Sequence, residues 1–212
     1  MKSNNYNFIA PFYDQITRLV FCGSIQKAQL AHLNLLPDEG RILFIGGGTG
    51  FALREILKLK PNLTIDYVDH SIKMIELSKE KIKHLKPKQV NFINGNESTI
   101  PNLTYDGIIS FFYFDILLKK EREVVFTKMY NQLKVDGIWL FADFLQAKNW
   151  YEKILEFAMY TFLKYSTNLK ISQIPHLNSL IGDKKLRLKA ESTFYNEFIF
   201  SCSYLKSNWN NS

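Results

Sequence analysis

Residues 41–50 read RILFIGGGTG, a short apolar run followed by four glycines within five positions. These are four of only ten glycines in the chain. A glycine in regular structure costs roughly 0.5–1 kcal/mol relative to alanine, because its backbone loses more entropy on folding. The cluster therefore indicates one of two structures: a tight turn after a strand with no ligand, or a turn at which the backbone closely approaches a bound molecule.

Apolar runs on both sides of this turn alternate with amphipathic segments. Strands that are apolar on both faces and separated by helices are typical of a parallel sheet covered on each side. We therefore expect an α/β fold with a doubly wound, mostly parallel, seven-stranded sheet. The last two strands follow one another through a tight connection, which predicts an antiparallel hairpin at the sheet edge. Strands are predicted at residues 41–45, 64–69, 90–93, 106–110, 137–143, 186–195 and 198–206, and helices at 50–60, 71–87 and 119–133.

Two further segments are predicted to be helical. Residues 1–40 form an N-terminal segment with a helical pattern over 6–36, and an aromatic-rich insertion occupies 150–183, before the hairpin. One side of the insertion is apolar, which is consistent either with a hydrophobic lid over a bound molecule or with a simple cover for the sheet. No repeat or linker interrupts the sequence, so we expect one domain over 1–212. The apolar side consists of Ile154, Leu155, Ala158, Met159, Phe162 and Leu163.

The composition excludes several classes of protein. Hydrophobic residues make up 46% of the 212 residues, which excludes a disordered chain. The net charge is +7, but the lysine run at 79–88 alternates with apolar residues as a solvated helix face does, so we do not favour nucleic-acid binding. There is no apolar run of about 18 residues, so we expect no membrane span and a cytoplasmic location. Cys22 and Cys202 are too few for a disulfide framework, which predicts buried free thiols and no metal site.

The spacing of the glycines distinguishes two nucleotide-binding fingerprints. In an open parallel sheet, ligands bind beyond the carboxyl ends of the strands where the strand order reverses. The dinucleotide fingerprint G-x-G-x-x-G fails here, because Phe51 occupies its last position. The chain instead has G-x-G-x-G at Gly46, Gly48 and Gly50, followed 19 residues later by Asp69 at the end of the second predicted strand.

These motifs resemble those of the class I S-adenosylmethionine-dependent methyltransferases, and the likeness covers nearly the whole chain. ILFIGGGTG takes the place of the family's first motif, in which an acid precedes G-x-G-x-G by two positions. YVDHSIKMIELSKEK, VNFINGNE and LKVDGIWLFADF look like the second-, third- and fifth-strand motifs. The opening YNFIAPFYD is similar to the start of the small-molecule methyltransferases of ubiquinone and menaquinone biosynthesis.

The resemblance implies an S-adenosylmethionine site at the carboxyl ends of the strands. The glycines would admit the methionine part of the cofactor, Asp69 would accept both ribose hydroxyls, and Asn96 would read the adenine amino group. Plain structural alternatives stay open: a strand-end cap for Asp69, a core residue for Met74, a surface residue for His70 and a turn residue for Asn96. The predicted cofactor-binding residues are Gly46, Gly47, Gly48, Gly50, Asp69, His70, Ser71, Met74, Asn96, Glu97 and Phe111.

One departure from the family concerns the acid before the glycines, which is replaced by Phe44. In the family this acid helps to orient the amino end of the cofactor. Three interpretations follow: a residue near Tyr13 or Asp14 takes over, the affinity for the cofactor is reduced, or methyl transfer has been lost. A non-catalytic protein with this fold is therefore the first alternative to an enzyme, and an RNA methyltransferase, supported only by net charge, is the second.

Methyl transfer to a small molecule needs positioning and exclusion of water more than acid–base catalysis. Aromatic faces stabilise a sulfonium cation, and we expect them directly after the fourth strand and at Tyr13. Other side chains are candidates for proton handling or substrate contact, although no general base is identified. The candidate substrate residues are Tyr13, Phe112, Tyr113, Asp115, Asp143, Tyr160 and His176.

Overall fold

The computed structural model of the protein describes residues 17–18, 20–85, 88–155, 180–182 and 184–208. Within these residues seven strands form one sheet, which confirms the predicted sheet and its edge hairpin. The strands are β1 (Glu39–Ile45), β2 (Asn62–Asp69), β3 (Val90–Asn94), β4 (Tyr105–Phe111), β5 (Leu133–Phe144), β6 (Leu186–Phe194) and β7 (Ile199–Lys206). Their order is β3-β2-β1-β4-β5-β7-β6, with β1 to β5 parallel and β7 antiparallel to both β5 and β6.

Four α-helices that are described over their whole length accompany the strands. Ser71 begins one of them as predicted, because its Oγ accepts the Met74 N–H at 3.2 Å and so caps the helix. None of the helices in these residues is both long and apolar enough to cross a membrane. The helices are α1 (Ser24–Leu30), α2 (Phe51–Leu59), α3 (Ile72–Ile82) and α4 (Lys119–Gln132).

The two faces of the sheet carry separate cores, because side chains of a strand alternate between faces. Ile42 and Phe44 of β1 pack into the core beneath α1 and α2. Leu43 and Ile45 pack into the core beneath α4. The strand order reverses between β1 and β4, so the crevice expected for a ligand lies at the carboxyl ends of these two strands.

Several predicted boundaries differ from the structure. Residues 17, 18 and 20 are helical as predicted, but a turn at 21–23, where Cys22 and Gly23 have φ of 49° and 75°, precedes α1, which begins at Ser24. This turn leaves Cys22 exposed, contrary to the expected buried thiol, whereas Cys202 is buried. β5 begins at Leu133 rather than at 137, because Leu133 already pairs with Tyr105 before a register shift in the ladder.

The insertion before the hairpin is described only at its two ends. Residues 150–155 and 180–181 are helical, as predicted. Ile154 is 57% exposed on this segment, while Leu155 packs against the core beneath α1 and α2. The rest of the insertion, and with it the choice between a lid and a cover for the sheet, lies outside the described residues.

Candidate functional site

The loop after β1 turns sharply through left-handed backbone conformations. Gly46, Gly48 and Gly50 have φ of 66°, 64° and 79°. A residue with a side chain is disfavoured at such angles, so glycine is favoured at these positions whatever surrounds them. The loop leaves the sheet while still bonded to it, because the Gly46 N–H donates to the Val68 carbonyl of β2 at 2.9 Å.

Three of the four loop glycines also have no space for a Cβ, because the protein's own side chains lie against them. Glycine at these positions is therefore already needed for internal packing, and their expected contact with the cofactor stays a prediction. An added Cβ would lie 2.8 Å from Tyr113 Cδ2 at Gly46, 2.1 Å from Tyr67 Cζ at Gly47 and 2.3 Å from Ser78 Oγ at Gly50.

Gly48 is different from the other three. A Cβ at Gly48 would meet no atom of the described part of the chain within 4 Å. Its backbone therefore faces space that no described residue fills, at the carboxyl end of β1 and next to the end of β2. This is the position in the loop at which a ligand can approach the bare backbone, so the geometry fits the cofactor that the sequence motifs imply.

The Asp69 carboxylate lies beside this position. Its Oδ2 accepts the Gly48 N–H at 2.8 Å and its Oδ1 accepts the Ser71 N–H at 2.8 Å. Burial raises the pKa of Asp69, and the two backbone N–H groups and the electrostatic interaction with His70 oppose that shift. Each carboxylate oxygen has a second lone pair. The carboxylate is therefore held in one orientation and can still accept two hydroxyl groups from a ligand.

Tyr113 closes the opposite side of the loop. Its ring lies over Gly46, and its hydroxyl donates to Glu97 Oε2 at 3.0 Å. Burial raises the pKa of Tyr113, and the negative charges of Glu97 and Asp69 raise it further. The residue was predicted to contact the substrate, but the structure places it among the predicted cofactor-binding residues.

Several other predicted residues have structural roles that are visible without a ligand. His70 is exposed, Met74 is buried in the core at 4% exposure, and Phe111 is buried at the end of β4. The Asn96 side-chain oxygen accepts both the N–H and the Oγ–H of Ser98, which caps a short 3-10 helix. Their contacts with a cofactor stay predictions.

Phe44, the residue in place of the family's acid, is buried in an aromatic cluster. Only 1% of Phe44 is exposed, and its ring packs edge-on against Tyr67 at 5.2 Å and Phe111 at 5.9 Å between centroids. A carboxylate at this position would be desolvated, which is unfavourable, whereas an aromatic side chain packs well against the neighbouring rings. The compensating candidates Tyr13 and Asp14 lie outside the described residues, as do the predicted substrate residues Tyr160 and His176.

The comparison with protein families matches residues 43–139 to a methyltransferase domain. The matched stretch begins in β1 and ends in β5, so it includes the glycine loop, Asp69 and the turn after β4. This stretch of the protein is a methyltransferase domain. The resemblance expected from the sequence motifs is thereby confirmed.

Two of the curated relatives are similar to the methyltransferase domain. The carboxy-S-adenosyl-L-methionine synthase of Nautilia profundicola is 32% identical over 116 residues, 55% of this chain and 49% of the relative. The malonyl-(acyl-carrier protein) O-methyltransferase of Halalkalibacterium halodurans is 37% identical over 113 residues, 50% of this chain and 40% of the relative. The chain thus spans about half the length of these relatives.

A solved structure supports the fold of the methyltransferase domain. The chain superposes on a SAM dependent methyltransferase from Aquifex aeolicus with a TM-score of 0.65, at 17% identity, over 94% of this chain and 98% of the other. At this identity the likeness concerns the fold alone.

Two buried carboxyl groups, Asp115 and Asp143, lie together where β4 and β5 end. Asp143 accepts the Asp115 N–H at 3.2 Å and the Phe144 N–H at 2.9 Å. Asp115 Oδ1 has no hydrogen-bond partner among the described residues. Burial raises the pKa of Asp115 to about 6, and burial together with the Asp115 carboxyl raises that of Asp143, while the buried Arg122 opposes both shifts. The methyltransferase domain therefore keeps a proton on this pair at a higher pH than isolated carboxyl groups would.

Replacing Asp115 with asparagine is expected to stabilise the protein by about 2–3 kcal/mol at pH 8 and to have little effect at pH 4. An acid whose pKa is higher in the folded state loses stability as the pH rises from about 3.9, its unfolded value, to its folded value near 6. Asparagine has no charge to bury, so it avoids that loss. Urea denaturation at both pH values measures the difference.

Asp38→Asn is the control for this variant, because 90% of the Asp38 side chain is exposed. It should change the free energy of unfolding by less than about 0.5 kcal/mol at either pH. An Asp115→Asn variant that is less stable than the wild type at pH 8 would show that the charge of the buried Asp115 carboxylate does not destabilise the folded protein.

Lysines on α3 and directly after it are partly neutralised by acids of that helix. Lys73 pairs with Glu76, and Lys83, just past the end of α3, pairs with Glu80. Lys79 lies over the Phe92 ring, with its Nζ 5.3 Å from the ring centroid. This arrangement is typical of a solvated helix face. No cluster of three or more metal-ligating side chains is found in the described part of the chain.

Proposed function

We propose that this protein is an S-adenosylmethionine-dependent methyltransferase that acts on a small, largely apolar acceptor. The observation that carries the proposal is the pairing of Gly48 with Asp69: a bare backbone facing open space, beside a carboxylate that two backbone N–H groups hold in place. Gly48 would admit the methionine part of the cofactor, and Asp69 would accept the ribose hydroxyls. Glu97 and Tyr113 would border the other side.

When bound, S-adenosylmethionine supplies a methyl group on a positively charged sulfur, which is already an activated leaving group. The chain then has to position the acceptor and exclude water. The half-buried Phe112 and Tyr113, at 6% exposure, are the aromatic residues that follow directly after the end of β4. Aromatic faces stabilise such a cation by about 0.5–2 kcal/mol.

The backbone at Phe112 supports a functional role for this corner. Phe112 has φ of 52°, which is unusual and costly for an aromatic residue, and its N–H donates to the Ala142 carbonyl of β5 at 2.7 Å. The Phe112 ring packs against Phe144, at 5.1 Å between centroids, and Phe144 packs on Phe198 at 5.4 Å. This aromatic corner favours an apolar acceptor over a highly charged one.

Turnover tests the proposal. The protein is incubated with S-adenosylmethionine and pools of small-molecule acceptors, and the release of S-adenosylhomocysteine is measured by mass spectrometry against an acceptor-free sample. We expect release to rise with at least one pool of apolar hydroxy or amino compounds. No turnover with any pool, in a protein that binds S-adenosylhomocysteine, would favour the non-catalytic alternative.

Two further arms of the same experiment separate the rival acceptors. A malonyl group on a carrier protein is the acceptor in the name of the Halalkalibacterium halodurans relative, and it forms one arm. RNA at physiological salt forms the other. Turnover confined to either arm would replace the small molecule in the proposal by that acceptor.

A further inference from the structure

Tyr67 reaches the glycine loop from beneath. It lies on β2, two residues before Asp69, and its side chain is fully buried. Its hydroxyl donates to the Gly48 carbonyl at 2.9 Å. The sequence motifs assigned no role to this residue.

Gly48 forms two hydrogen bonds with side chains of β2, one through its carbonyl with Tyr67 and one through its N–H with Asp69. The Gly48 N–H belongs to the peptide plane before Gly48 and donates to Asp69 Oδ2 at 2.8 Å. The Gly48 carbonyl belongs to the peptide plane after it and accepts from Tyr67. Because φ and ψ are the only soft angles between two peptide planes, fixing both planes fixes the conformation of the residue. Gly48 is therefore held in its left-handed conformation by two side chains of one strand.

The tyrosine ring is itself immobilised. Phe44 packs edge-on against it at 5.2 Å and Phe92 at 5.3 Å between centroids, and Gly47 lies directly on the ring. The register of β1 and β2 places Phe44 opposite Tyr67. The aromatic residue that replaces the family's acid thus helps to orient the hydroxyl that reaches the loop.

We propose that Tyr67 is a positioning residue for the cofactor, because its hydroxyl holds Gly48, the loop glycine that faces open space, in the conformation in which the cofactor is bound. The inference rests on the proposed function, since it concerns the same cofactor. Ordering one residue of a free loop opposes binding by its lost conformational entropy. A loop that is already ordered before binding avoids that loss.

Tyr67→Phe tests the inference, because it removes one oxygen and leaves the ring. We expect the dissociation constant for S-adenosylhomocysteine, measured by titration calorimetry, to rise roughly five- to tenfold. In the ligand-free variant, the amide resonances of Gly48 and Thr49 should shift in NMR spectra, and both amides should exchange faster with solvent. These two amides flank the carbonyl that loses its partner.

Tyr105→Phe is the matched control. Tyr105 is also a fully buried tyrosine, and its hydroxyl donates to Asp66 Oδ2 at 3.1 Å, near the amino end of β4. We expect this variant to lower the melting temperature without changing the dissociation constant. Equal weakening of binding in both variants would assign the effect of Tyr67 to general destabilisation and overturn the inference.

The inference and the proposed function fail in different ways. A wild-type protein that does not bind S-adenosylhomocysteine overturns the proposed function, and the inference with it. A wild type that binds, together with a Tyr67→Phe variant that binds equally well and keeps the wild-type Gly48 resonance, overturns the inference alone.

Discussion

Substituting asparagine for Asp69 is expected to weaken the binding of S-adenosylhomocysteine at least a hundredfold. The carboxylate would form two charge-assisted bonds with the ribose hydroxyls, and each contributes about 1.5–3 kcal/mol. Asparagine keeps the shape of the side chain but replaces one acceptor oxygen by a donor, which then opposes the Gly48 or the Ser71 N–H. Titration calorimetry on the wild type and the variant measures the loss.

The stability of Asp69→Asn should change far less than its affinity. One backbone N–H loses its acceptor, which lowers stability. The variant also removes a negative charge whose burial is unfavourable, as the raised pKa of Asp69 shows, so the two effects on stability oppose each other. Asp106→Asn is the matched control: Asp106 also accepts a backbone N–H, that of Arg41 at 2.8 Å, but at the amino ends of the strands. If Asp69→Asn binds within threefold of the wild type, the ribose role of Asp69 is wrong.

Replacing Asp66 with alanine is expected to lower the free energy of unfolding by about 3–5 kcal/mol. Asp66 is fully buried and accepts two bonds of 2.8 Å from the Arg41 guanidinium, one of 3.1 Å from Tyr105 and one of 3.1 Å from Asn91. Alanine leaves four donor groups, on Arg41, Tyr105 and Asn91, without their acceptor in a partly desolvated place. Urea denaturation at pH 7 measures the loss.

The effect of Asp66→Ala should also depend on pH. Burial raises the pKa of Asp66, but the hydrogen bonds from Arg41, Asn91 and Tyr105 outweigh it and hold that pKa below its usual range. A group of this kind contributes stability above its unfolded pKa of about 3.9 and loses it as the pH falls through the lower folded value. The difference between wild type and variant should therefore shrink below pH 4.

Asp38→Ala is the control for this second variant. Asp38 pairs with Lys60 on the surface, and such exposed pairs contribute about 0–1 kcal/mol. A loss of less than about 1 kcal/mol in Asp66→Ala at pH 7 would show that the buried network contributes no more than a surface pair.

The sequence was sufficient to predict features that depend on local pattern. Strands buried on both faces, as in ILFI at residues 42–45, produce unbroken apolar runs, and left-handed turns favour glycine at Gly46, Gly48 and Gly50. The acid at Asp69 follows the loop at a fixed distance in the chain. The α/β fold, the glycine loop after β1 and the acid at the end of β2 were therefore predictable from residues that are neighbours in the sequence.

Contacts between distant strands were not predictable in the same way. The packing of Tyr67 against Gly47 and of Tyr113 against Gly46 depends on which strands are adjacent, and so does the meeting of Asp115 with Asp143. Hydrophobic periodicity within one segment does not reveal which strands are adjacent in the sheet. A tyrosine two positions before the acid of the second strand was nevertheless a visible signal, because it points to the same face as that acid.

The most direct test of the account is a crystal structure of the wild-type protein with S-adenosylhomocysteine. We expect the ribose hydroxyls at about 2.6–2.8 Å from the two carboxylate oxygens of Asp69. We also expect the amino-acid part of the ligand against the backbone of Gly48, with the bond from Tyr67 retained. A ligand bound elsewhere, with Asp69 still bonded only to Gly48 and Ser71, would contradict the central claim that this edge of the sheet holds the cofactor.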